Sequence, residues 1–225
     1  MKFDYTYIVL FGHPVFEPMV LLTNTIFFLL SFYFFKKLAK VDQPYGRQMA
    51  WFILMLGTST FFGAIGHAVH YMLGDLFFNT VFFISKSTSL VSVYFCFKAA
   101  YCYYSEKPDK RLINTVLGLV IALILFNLVQ GTFILIEIIG GLVLIYSLVM
   151  HILMYKRTHE RGSRLIITGI LISFLSLFVH LFKISLHENF NNKDLAHTIM
   201  IITLFFVGNG AILNAKALDN EAKVN

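Results

Sequence analysis

The chain has 225 residues, 58% of them hydrophobic and only 13% charged, with a formal net charge of +6. A soluble domain carries about a quarter charged residues, so that class is excluded. Apolar runs of roughly 20 residues recur, the length that crosses a ~30 Å hydrocarbon core, and no ~10-residue alternating segments of a transmembrane barrel occur, so the chain reads as an all-α polytopic membrane protein.

The N-terminus lacks the cationic segment and short apolar core of a cleavable signal. Seven spans follow in chain order: Val15–Phe35, Met49–Leu73, Phe77–Tyr104, Leu112–Leu128, Thr132–Tyr155, Ser163–Leu186 and Leu195–Leu218. The charged stretches "KKLAKVDQPYGR", "YSEKPDKR" and "YKRTHERGSR" separate some spans; "LGDLF" and "VQGT" are tight turns. Asn127, Gln130 and Gly131 are the whole signal between spans four and five, so a six-span reading is the alternative. Residues 1–225 form one seven-helix transmembrane domain, without repeat or soluble module.

Basic residues set the orientation. Lys36, Lys37, Lys40, Arg47, Lys107, Lys110, Arg111, Lys156, Arg157, Arg161 and Arg164 fall in the loops after spans one, three and five; Lys2, Lys183 and Lys193 fall on the other side. The positive-inside rule then puts the N-terminus outside and the C-terminus in the cytoplasm. Charge spread over short loops argues against a nucleic-acid partner. Simple loops point to a bacterial inner membrane, with membrane lipids as neighbours and the oligomeric state open. Cys96 and Cys102 read as free thiols. Gly140–Gly141 predicts close helix packing, and Tyr101, Tyr103 and Tyr104 suit an interfacial belt.

Ionisable groups inside a bilayer are expensive and call for a partner, a cavity or a purpose. They gather in the outer half: Glu17 in span one, His67 and His70 in span two, Lys86 in span three, Glu137 in span five, His180, Lys183 and His187 in span six, Asp194 and His197 in span seven. Spacings of i, i+3 and i, i+7 put the members of each span on one helix face. Taken singly, each suits a helix end or an interface; Glu17–Pro18 also reads as a helix start. The joint clustering predicts a shared polar cavity opening outward, lined in addition by Lys86, Glu137 and His180 as ligand-binding candidates.

Imidazoles and carboxylates facing a wet pocket suit zinc, which in catalytic sites takes three protein ligands and a water. That water ionises near neutral pH and attacks an ester or amide carbonyl. His67, His70 and His197 are the ligand candidates. Asp194 is a further ligand, an acceptor that orients His197, or a general base; Glu17 steadies the site or carries a proton.

At these residues the chain resembles a known family. The seven spans, the early Glu17, "GAIGHAVHYM" ending span two and "FNNKDLAHTIMIITLFFVGNGA" in span seven are similar to the CREST-type superfamily, in particular its alkaline ceramidase-like branch. The resemblance implies a histidine ligand in span two, His67 or His70, and another at His197. It also implies zinc-dependent hydrolysis of a lipid amide or ester. Hydrolytic members carry a second span-seven histidine, where this chain has Lys193 or Ile201. They also carry a serine before the span-two histidine, where it has Gly63 or Gly66, and a span-three aspartate, where it has Lys86.

The competing expectation is a metal-free transporter, sensor or small-molecule binder. There Lys86, Glu17 and Glu137 would form an ion-paired gate or relay, and the histidines would set pH dependence.

Overall fold

The computed structural model describes residues 7–224 except 11, 106, 131–133 and 188–189; the side chains of residues 10, 13, 70, 71, 129, 130 and 224 also lie outside the description. A hairpin comes first. Strand β1 (Tyr7–Leu10) pairs antiparallel with β2 (His13–Phe16), Tyr7 opposite Phe16. Gly12 sits in the turn at φ 81, a left-handed value that glycine adopts without penalty. His13 opens β2.

The helices are α1 (Pro18–Leu38), α2 (Pro44–Tyr104), α3 (Lys110–Gln130), α4 (Ile134–Thr158), α5 (Arg161–Leu181) and α6 (Asn192–Val224). Proline opens both α1 and α2, where its fixed φ suits a helix and its missing N–H is not needed. Helix α2 is two arms. Gly74, at φ 74 and ψ 178, interrupts it with a backbone conformation essentially restricted to glycine. Counting both arms, seven helices among the described residues are long and apolar enough to cross a membrane: Pro18–Leu38, Pro44–Val69, Met72–Tyr104, Lys110–Leu128, Ile134–Thr158, Arg161–Leu181 and Asn192–Lys223. The protein is an integral membrane protein by this measure. The expected break at Gln130 and Gly131 falls largely outside the described residues, between α3, which ends at Gln130, and α4, which begins at Ile134.

Helix α5 stops at Leu181, short of the expected Leu186. The stop is a Schellman cap. Lys183 takes a left-handed φ of 51, and the Ile184 N–H donates back to the Val179 carbonyl at 3.0 Å. No glycine announces it. The expected stripe of His180, Lys183 and His187 is thereby broken: His180 is in the last turn of α5, and His187 lies beyond it in a bridge with Phe190.

The centre of the bundle is α1, the first arm of α2, α5 and α6. Phe27, Phe34, Tyr45, Met49, Ile53, Ile166, Leu204 and Ala211 are among its buried residues. Helix α6 packs on α5 and α1, and α3 packs on α2. Close approach between α5 and α6 depends on Gly162 and Gly210. A Cβ on Gly162 would sit 2.6 Å from the Gly210 carbonyl oxygen, and one on Gly210 would sit 2.6 Å from that of Gly162. Gly140 and Gly141, expected to make such a contact, do not: a Cβ on Gly140 would meet Val93 at 3.8 Å, and one on Gly141 would meet nothing within 4 Å. Helical period brings a glycine to an interface only if its face turns inward, and the pair on α4 faces outward.

Candidate functional site

Four chain segments converge at one end of the bundle: the start of α1, the end of the first arm of α2, the end of α5 and the start of α6. The local structure at Glu17 explains its role. It occupies the N-cap position of α1 at φ 47, ψ 56, and its side chain makes no capping bond. A left-handed non-glycine residue costs roughly 1–2 kcal/mol, so surrounding contacts must hold it there. The carboxylate, 4% exposed, turns to α6, where the Lys193 ammonium donates to Oε1. The other oxygen, Oε2, lies 3.9 Å from Nδ1 of His67, too far for a hydrogen bond, and has no hydrogen-bond partner among the described residues. The His67 ring stands edge-on to Phe82 at 5.0 Å, with its side chain 42% exposed at the rim.

Asp194 is 1% exposed. Its Oδ2 accepts the Asn191 N–H at 2.9 Å, while Oδ1 has no partner among the described residues. Asn191 in turn caps the helix start, its Oδ1 accepting the Lys193 N–H at 2.8 Å. This network aims the Lys193 side chain and the Asp194 carboxylate from successive positions. Asp194 lies within electrostatic reach of Glu17 and Lys193, and His197 within reach of His180, His67 and Lys193.

Of the expected residues, the structure thus gathers Glu17, His67, Asp194 and His197, with His180 exposed at the edge. The His70 side chain lies outside the described residues. Glu137 is exposed on the first turn of α4, away from the buried group. Lys86 is half-buried in the second arm of α2, and the lysine that meets Glu17 is Lys193. Asn24, a helical stripe-mate of Glu17, is fully buried and donates to the Val20 carbonyl at 2.8 Å. Lys193 was missed because it reads as an ordinary loop cation. Its place one residue before a buried aspartate at a helix start was the available signal.

The zinc expectation includes His70, whose side chain lies outside the described residues. Among the described residues, no group of three His, Cys, Asp or Glu is placed to hold a metal. The one carboxylate beside His67 is already neutralised by Lys193.

A second polar cluster lies at the opposite, basic end. Tyr103, expected at an interface, is buried there and hydrogen-bonds Ser163 at 2.9 Å. Asn214 donates to Ser163 at 3.4 Å and approaches the Tyr45 hydroxyl at 3.5 Å. His151 is wedged against both tyrosines, with ring centroids 5.2 Å from Tyr103 and 6.2 Å from Tyr45. The cluster ties α2, α4, α5 and α6 together. Tyr103→Phe, which removes the shortest of these bonds, is expected to destabilise the protein by about 1 kcal/mol. Tyr45→Phe should cost measurably less, because 3.5 Å is the edge of hydrogen-bond range. Thermal unfolding in detergent compares them; equal losses would count against this network. Cys96 is buried and Cys102 half-buried, both free.

Fold and site together define a seven-helix integral membrane protein with an ion-paired polar group at one end. The chain belongs to a family described as a family of unknown function, DUF6962, whose model matches residues 19–216. No curated protein and no solved structure matches it.

Proposed function

We infer that this protein binds a small polar molecule at the Glu17–Lys193 end of its bundle, without a metal, and does so from the non-cytoplasmic side of the membrane. The observation that carries this reading is the ion pair itself. It joins the first helix to the last and engages one oxygen of the Glu17 carboxylate. Buried charges persist where they serve a pathway or a ligand, because an unpaired one costs several kcal/mol. A partly exposed His67 on one side and His180 on the other leave the group reachable from solvent.

The lipid-hydrolase reading, with zinc on His67, His70 and His197, draws on the resemblance to the CREST-type superfamily. The metal-free reading rests on the Glu17–Lys193 ion pair instead. Orientation follows the basic loops: Lys36, Lys37, Lys40, Arg47, Lys156, Arg157, Arg161 and Arg164 belong to the other end of the bundle, so that end is assigned to the cytoplasm. Short loops suit a bacterial cytoplasmic membrane, the location we assign.

Cysteine labelling tests the placement. In a Cys102→Ser background, His180→Cys should react with a membrane-impermeant maleimide on intact cells. Lys40→Cys should react only after lysis. The reverse pattern would overturn the orientation, and an unreactive His180→Cys in both conditions would overturn an accessible site.

A further inference from the structure

The charges and orphaned acceptors at this site specify a ligand class; the inference rests on the metal-free binding reading above. The described site holds the Glu17 carboxylate paired with the Lys193 ammonium, the buried Asp194 carboxylate next to Lys193 in α6, and His67 3.9 Å from Glu17. Each carboxylate is more than nine-tenths buried, and each keeps one oxygen, Oε2 of Glu17 and Oδ1 of Asp194, without a hydrogen-bond partner among the described residues. A buried acceptor left unmade is costly, and two buried like charges within reach of one another repel. A single group relieves both problems if it carries one positive charge and several N–H donors.

We propose that the site takes a primary ammonium group, with Glu17 Oε2 and Asp194 Oδ1 as its acceptors. The site already contains the precedent: Lys193 presents an ammonium to the other Glu17 oxygen. An ammonium has three donors in a compact head, enough for both orphaned oxygens and for one neutral imidazole. An alkali ion would supply charge without directional donors, and a quaternary amine would supply charge with none.

The test uses the purified full chain in detergent at constant ionic strength. Methylammonium, ammonium, tetramethylammonium, sodium and potassium chlorides are compared by thermal unfolding. Methylammonium and ammonium are expected to raise Tm saturably by about 3 °C or more. The other three should not raise it, and Asp194→Asn should abolish the response. Equal responses to sodium or potassium would make this an inorganic cation site and overturn the proposal. No response to any salt would overturn it as well. Should Asp194→Asn fail to fold, titration calorimetry of the wild type with methylammonium decides: saturable heat supports the proposal, and none overturns it. Failure of the metal-free reading is separate, because it shows as bound zinc.

Discussion

Lys193→Met destabilises the protein by about 3–5 kcal/mol, while Glu17→Gln costs about 1–2 kcal/mol and the double variant recovers most of the loss of the lysine variant. The asymmetry follows from burial. The Glu17 side chain is 4% exposed and that of Lys193 is 32% exposed. Removing the lysine strands a carboxylate that is only 4% exposed, and its second oxygen already lacks a partner among the described residues. Removing the carboxylate strands an ammonium on a long flexible stem, which can swing to solvent. Glutamine in place of Glu17 carries no charge, so the double variant has none to strand. Chemical or thermal unfolding of the three variants in one detergent measures the order. Equal losses for the two single variants, or no recovery in the double, would contradict the pairing as described.

Gly162→Leu should cost 3 kcal/mol or more, or prevent folding, whereas Gly141→Leu should change stability by less than about 1 kcal/mol. At Gly162 even the first added atom collides with backbone, the Gly210 carbonyl oxygen at 2.6 Å. A carbonyl cannot rotate away as a side chain can, so α5 and α6 must separate along their whole contact. That contact carries the buried Ile166, Ile170, Val207 and Ala211 of the main core. At Gly141 the added side chain meets nothing within 4 Å and projects from an apolar helix. There leucine also has the better helix propensity. Expression and unfolding of both variants make the comparison. A stable Gly162→Leu protein would refute close α5–α6 packing.

The seven spans were legible because length and apolarity alone decide whether a segment crosses a bilayer. Depth and helical spacing also put Glu17 and His67 at one end of the bundle, and they lie 3.9 Å apart. Three features were not legible. The α5 terminus is made by a left-handed lysine, and Lys183 has none of the glycine signal that usually marks such a cap. The partner of Glu17 is set by how α1 meets α6. Sequence spacing reports faces within one helix but not which helices touch, so Lys86 was as plausible a partner on paper as Lys193. The same limit hid the basic-end cluster, where Tyr45, Tyr103, His151, Ser163 and Asn214 come from widely separated stretches. Gly140–Gly141 misled for a related reason: a small pair permits close packing but does not say whether a neighbour is there.

The central claim is that this polar end works through paired charges rather than a metal. Elemental analysis of the purified wild-type protein, with His67→Ala and His197→Ala alongside, tests it most directly. The account predicts zinc well below a tenth of an atom per chain in all three, on the order of background. About one zinc per chain in the wild type, lost in either histidine variant, would contradict it and restore a zinc-centred hydrolytic site.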